Sequence, residues 1–164
     1  MLTYAHTMAR YNRWMNRRLY DVCGRLSDEA RKQGMGAFFR SIHGELNHLL
    51  LADRLWMGRF TGEGYTIQSL DQELYADFET LRAEREHEDN RILEWVASLD
   101  HETIEGDLVY TSAVNPEPRR FPFRLALTHF FNHQTHHRGQ LTTLIHQQGI
   151  DPGVTDLIWL PGEE

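Results

Sequence analysis

The 164 residues carry 17 Lys and Arg against 24 Asp and Glu, a formal net charge of −7, with 40% hydrophobic and 25% charged positions. That balance argues against a nucleic-acid partner, since phosphate binding draws on clustered basic residues and here they occur as scattered pairs such as Arg17-Arg18 and Arg119-Arg120. Cys23 is the single cysteine, which excludes an intrachain disulfide and argues against a cysteine-ligated zinc site.

The N-terminus, "MLTYAHTMARYNRW", has no apolar run of signal-peptide type, and no later stretch approaches the roughly 20 apolar residues of a membrane helix. A soluble, cytoplasmic protein with one domain over residues 1–164 is expected, without a membrane partner. Arginine outnumbers lysine sixteen to one, which favours forked contacts with carboxylates.

In the first segment Tyr4, Ala5, Met8, Tyr11, Met15, Leu19 and Val22 recur at three- and four-residue steps, predicting a helix that Gly24 stops. "LSDEARKQ" predicts a short capped helix with Ser27 as N-cap. A second long helix is expected from about residue 36 to 60, apolar over more than half its wheel, and a third from about 71 to 99. The middle of the third, "RAEREHEDNR", reads as a solvated face laced with i,i+4 ion pairs. Residues 101–121 break the helical period, and short alternating runs on either side of Asn115-Pro116 suggest a small hairpin or an extended crossover. A fourth helix is expected from Pro122 to about Gln148, before Gly149. In the tail, Leu157, Ile158 and Trp159 are expected to dock on the body. The fold class that follows is all-α, a four-helix bundle with a long crossover before the last helix that could contain a β-hairpin.

The fourth helix contains "THFFNHQTHHRGQ", which puts four of the ten histidines into nine positions. On a helical wheel His137 lies about 40° and His133 about 80° from the middle of the apolar arc, with His129 and His136 about 120° and 140° away. Only the i,i+4 pair His133 and His137 can look inward, and such a pair lets two imidazoles meet one cation. A chain this rich in histidine contains about 0.6 such pairs by chance. On this helix alone, metal ligation and a hydrogen-bonded pair at the core edge both stand. A catalytic metal needs a third ligand from elsewhere. In the second helix His48 shares a side with Leu51, Ala52 and Leu55, whereas His43 falls on the polar side with Asn47 and Arg54. Asp53 sits against the apolar pattern and is expected to have a partner inside, as a structural anchor.

"ELNHLLLADRLW" and "THFFNHQTHHRGQLTTLIHQQGIDPG" together resemble the DinB/YfiT-like family of metalloenzymes, and the likeness extends to "YNRWMNRRLY" and "TDLIWL". The resemblance implies the same bundle, a homodimer, and one divalent metal held by His48, His133 and His137. It gives His129 and His136 no ligand role. It also includes Arg138, Gly139 and Gln140 in the motif, with Gly139 expected to allow close helix approach and Gln140 to face nearer the metal than Arg138. Some relatives are induced by DNA damage, which suggests a link to stress response, and some use low-molecular-weight thiols in isomerase or transferase reactions.

Three neutral imidazoles leave a divalent ion's charge largely undiminished, so water or thiol coordinated to it would lose a proton near neutral pH. The expected function is therefore a metal-dependent hydrolase or a low-molecular-weight-thiol-dependent transferase acting on a small-molecule substrate. The alternative is a non-catalytic dimeric bundle that binds metal or ligand. Zinc or nickel heads the metals expected, with iron or manganese next. No catalytic base is assigned; Glu45 and Asp53 are candidates by their nearness in sequence. Trp14, Trp56, Trp95 and Trp159 read as core or dimer contacts, Cys23 as buried, and His6, His87, His101 and His146 as solvated or capping.

Overall fold

Capping side chains mark most helix starts. The computed structural model describes residues 1–111 and 117–162. Helix α1, Leu2–Cys23, ends at Gly24, and α2, Asp28–Lys32, starts where Ser27 Oγ accepts the Ala30 N–H, as the sequence predicts. Helix α3, Ile42–Thr61, begins six residues later than expected. Gly36 and Arg40 have φ of +73° and +69°, incompatible with helix, and Ser41 Oγ caps α3 by accepting the Gly44 N–H at 3.0 Å. Helix α4, Phe78–Ser98, also begins late, because Asp77 accepts the Thr80 N–H and stops the helix from extending back to residue 71. Leu74 therefore lies on the connecting loop.

Asp100 caps a short α5, His101–Glu105, which the sequence pattern did not suggest. Strands β1, Asp107–Thr111, and β2, Pro118–Pro122, pair antiparallel with Leu108 opposite Phe121 and Tyr110 opposite Arg119, so the crossover contains a hairpin. The expected turn at Asn115-Pro116 lies outside the described residues. Helix α6, Phe123–Gln147, starts directly after Pro122, and a 3₁₀ turn, Leu157–Trp159, is the last regular element of the described residues.

The four long helices form a closed ring in the order α1, α4, α3, α6, with α1 diagonal to α3 and α4 diagonal to α6. The core runs continuously through them, from Met15, Leu19 and Cys23 through Leu46, Leu50 and Met57 to Phe130, Leu141 and Ile145. The architecture is the all-α bundle expected. No helix of the described residues is long and apolar enough to cross a membrane.

Two expectations need correction. Arg85, Glu88 and Asp89, in the stretch expected to be solvated, are each 2% exposed, because α4 turns this charged face inward onto partners from α1 and α3. In the tail, Ile158 and Trp159 are 81% and 65% exposed, and Leu160 is the residue that docks. The segment reaches the body through the Tyr11 hydroxyl, which donates to the Thr155 carbonyl.

Candidate metal centre

The adjacent helices α3 and α6 bring His48, His133 and His137 together, each offering a ring nitrogen within 4.8 Å of the others'. Their ring centroids are 4.3 Å (His133 and His137), 4.5 Å (His48 and His137) and 5.4 Å (His48 and His133) apart. Three ligands on one tetrahedral ion at roughly 2.1 Å stand about 3.4 Å apart, so small side-chain rotations bring the set to bonding geometry.

Two of the tautomers follow from their neighbours. His48 Nδ1 lies 2.9 Å from the Leu70 carbonyl, which can only accept, so the proton sits on Nδ1 and the Nε2 lone pair faces the cluster. That Nε2 is buried with no hydrogen-bond partner. An orphaned buried acceptor aimed at two other imidazoles is what a ligand atom looks like before its ion is counted. His137 Nδ1 lies 2.6 Å from Glu45 Oε1, so His137 likewise presents Nε2 inward. Glu45 is wholly buried and acts on the far edge of the ring, where a carboxylate fixes orientation and raises ligand basicity. Glu45→Gln is expected to weaken zinc affinity by about 10- to 100-fold without unfolding the bundle, read by competition with a chromophoric chelator.

The α3–α4 loop that supplies the Leu70 carbonyl is pinned against α3. Asn47 Oδ1 accepts from the Leu74 and Tyr75 N–H groups at 2.8 and 2.9 Å, and His43 Nε2 donates to the Tyr75 carbonyl at 2.8 Å. His43 is therefore buried, contrary to its expected place on the polar side, because the returning loop covers that side of α3. A Cβ on Gly58 would meet the Gly64 backbone at 2.7 Å, so this glycine lets the loop close. On the opposite side Phe39 stacks on His48 with centroids 3.6 Å apart and meets His137 edge-on at 5.6 Å. Gly44 makes room for Phe39, since a Cβ there would stand 2.0 Å from the Phe39 carbonyl oxygen.

Burial, followed by the neighbouring imidazoles, drives the His133 pKa down to about 3, and burial also lowers His48. Both shifts favour the neutral ring with its lone pair free. An unfolded histidine titrates near 6.5, so below that pH the unfolded chain binds a proton at His133 that the folded chain does not. The metal-free fold accordingly loses stability as pH falls from about 6.5 toward 3, by up to about 1.4 kcal/mol per pH unit for one such group. Urea unfolding between pH 5 and 7.5 should show this slope, reduced in His133→Phe.

The remaining motif residues do other work. His129 and His136 are exposed and outside the trio, although the His129 ring is 5.9 Å from that of His133. Gln140 Nε2 is 2.9 Å from His136 Nε2. Arg138 turns into the core and donates to Asn12 Oδ1. A Cβ on Gly139 would meet nothing within 4 Å, so this glycine serves no close helix approach. Asp53 is the interior anchor expected: its Oδ2 accepts from Arg85 at 2.6 Å and its Oδ1 from Gln134 at 2.7 Å. The sequence reading missed Phe39, Asn47 and the Leu70 carbonyl. Phe39 and Leu70 act from loops that helical periodicity does not describe, and Asn47 acts on one of those loops.

A helical bundle with three imidazoles gathered between two neighbouring helices defines the class of this protein. The family model for DinB matches residues 1–164. The chain is 26% identical over 160 residues to "Protein DinB" of Bacillus subtilis (strain 168), covering 95% of this chain and 92% of that one. A crystal structure of a DinB-like protein from Bacillus cereus ATCC 10987 superposes with a TM-score of 0.67 at 21% identity, over 88% of this chain and 91% of that chain. The chain belongs to the DinB family.

Proposed function

We propose that this protein is a divalent-metal-dependent enzyme with His48, His133 and His137 as ligands, acting as a hydrolase or as a transferase that uses a low-molecular-weight thiol. One observation carries the reading. Among the described residues the donor set consists of three imidazoles, with Glu45 committed to the outer edge of His137 and no carboxylate or thiolate added to the trio. Three protein ligands with a further position left for a small molecule is the pattern of catalytic sites, whereas structural zinc takes four. The ion supplies Lewis acidity toward water or a thiol, bringing deprotonation toward neutral pH. The chain's own residues hold it: the Leu70 carbonyl and Glu45 orient His48 and His137, and Phe39 walls off water from one side of the cluster.

The all-imidazole set suits zinc or nickel first, and iron also, with manganese less favoured because it prefers oxygen ligands. The reading includes a homodimer, supported by the exposed Leu157, Ile158 and Trp159. A cytoplasmic location is compatible with the single buried, unpaired Cys23.

The test uses untagged protein, to avoid metal from a nickel column. About one zinc or nickel per chain is expected after dialysis against either metal, with absorption-edge scattering from three nitrogen neighbours near 2.0–2.1 Å. A panel of thioesters, esters and thiol acceptors should then show turnover that chelation abolishes and metal restores. Protein that takes up none of the four candidate metals, or turns over substrate without metal, overturns the reading.

A further inference from the structure

Helix α3 runs one line of side chains away from the metal centre: His48, Ala52, Leu55 and Arg59, spaced by four, three and four residues. The line covers eleven residues, about 16 Å of helix. At its far end a cavity of about 610 Å³ opens, lined by Leu55, Arg59, Ile67, Leu70, Val109 and Tyr110. Its near wall is the same Leu70 whose carbonyl holds His48.

Arg59 is half-buried in this wall, with its guanidinium 4.5 Å from the ring centroids of both Trp56 and Tyr110. Among the described residues it has no carboxylate partner. Tyr110 is its favourable electrostatic neighbour, whereas Arg119, which sits opposite Tyr110 across the hairpin, repels it. Arg119 also has no ion-pair partner among the described residues, in contrast to its neighbour Arg120, which pairs with Asp107 at 2.8 Å. Arg59, half-buried and without a carboxylate partner among the described residues, favours an anion on a chain with net charge −7, and the exposed Arg119 across the tyrosine adds a second positive charge nearby. Stacking holds the Arg59 guanidinium plane and leaves its edge donors available for a planar oxyanion. The stack is also continuous with the metal centre: Trp56 lies 4.9 Å from His129, whose ring is 5.9 Å from that of His133.

We infer that this cavity is the substrate subsite of the metal centre and takes a small organic oxyanion, a carboxylate or phosphate on an apolar body. The anionic end sits on the Arg59 edge with Arg119 beside it. The body lies against Leu55, Ile67 and Val109, and the other end points back along α3 toward the three histidines. The inference rests on the enzymatic reading above and deepens it by naming the substrate class.

The test is calorimetric titration of zinc-loaded protein with 4-phenylbutyrate, its neutral amide and phenyl phosphate. The acid should bind at least tenfold more tightly than the amide. Arg59→Met should remove that difference while leaving amide affinity and zinc content unchanged, Arg59→Lys should retain part of it, and Arg119→Met should reduce it less. The stronger of the two anions identifies the head group. Equal affinity for acid and amide, no binding by either anion, or discrimination that survives Arg59→Met but disappears from zinc-free protein overturns the inference, the last by seating the anion on the metal. Protein that binds no zinc yet discriminates through Arg59 instead sinks the metal reading and leaves the oxyanion subsite standing.

Discussion

His133→Ala is expected to abolish tight metal binding, with zinc affinity falling by at least about a thousandfold and stoichiometry dropping from near one toward zero under chelator competition. The loss exceeds the 10- to 100-fold typical of an orienting partner, because a bond to the ion itself disappears and two imidazoles cannot close a site. Zinc at a hundred times its dissociation constant stabilises the wild-type fold by about 2.7 kcal/mol, a Tm rise on the order of 5–10 °C for a chain of this size. The variant should show no rise. Its metal-free Tm should stay close to wild type, since the imidazole removed sits in a crowded group of four others that already holds it uncharged. His129→Ala and His136→Ala should keep zinc affinity within about threefold, because neither ring belongs to the converging trio. Equal losses in all three variants would mean that the histidine-rich helix binds metal diffusely and that the geometry of His48, His133 and His137 carries no special role.

The site was legible in the sequence to the extent that it is built from helices. His48, His133 and His137 sit at positions whose phase is set by 3.6-residue periodicity, so their inward direction could be computed without knowing the packing. Glu45, three residues before His48, was noticed only for its nearness, and its role as the partner of His137 depends on the registry of α3 against α6, which no single-helix pattern contains. Phe39 and Leu70 were invisible for a stronger reason. One contributes a ring from a segment that positive φ at Gly36 and Arg40 bends out of helix, and the other contributes a backbone carbonyl, which any residue type could supply. The charged stretch of α4 misleads in the opposite direction: alternating acids and arginines look alike whether they face water or each other, and only the partners on α1 and α3 decide between the two.

Those partners make Arg85→Met the most damaging substitution expected outside the metal centre. The Arg85 side chain is buried with Nη1 2.6 Å from Asp53 Oδ2 and Nη2 3.0 Å from Asp89 Oδ1, so one guanidinium neutralises two carboxylates from α3 and α4. Around it, Gln134 of α6 donates to Asp53, Asn16 of α1 donates to Asp89 at 2.9 Å, and Arg138 of α6 reaches Asn12 of α1. All four long helices thus meet in one polar knot. Removing Arg85 leaves two buried carboxylates with only Arg138, which makes no ion pair with either, as a positive neighbour, a loss of about 3–5 kcal/mol, or a Tm fall on the order of 10 °C. Burial already raises the Asp89 pKa and Arg85 opposes it, so the variant pushes that pKa higher still. A carboxyl whose folded pKa lies above its unfolded value gains stability as pH falls, so the deficit relative to wild type should be smaller at pH 5 than at pH 8. Adding Asp53→Asn and Asp89→Asn should recover much of the loss. The knot also bears on the candidate metal centre: Asp53 lies five residues beyond His48 and Gln134 directly follows His133, so their hydrogen bond ties together the two helices on which the three histidines converge. Arg85→Met should therefore weaken zinc binding as well as the fold, by more than its distance from the histidines alone would suggest. A variant that unfolds earlier yet keeps wild-type zinc affinity at temperatures where it is fully folded would separate the two roles and show that registry is held elsewhere.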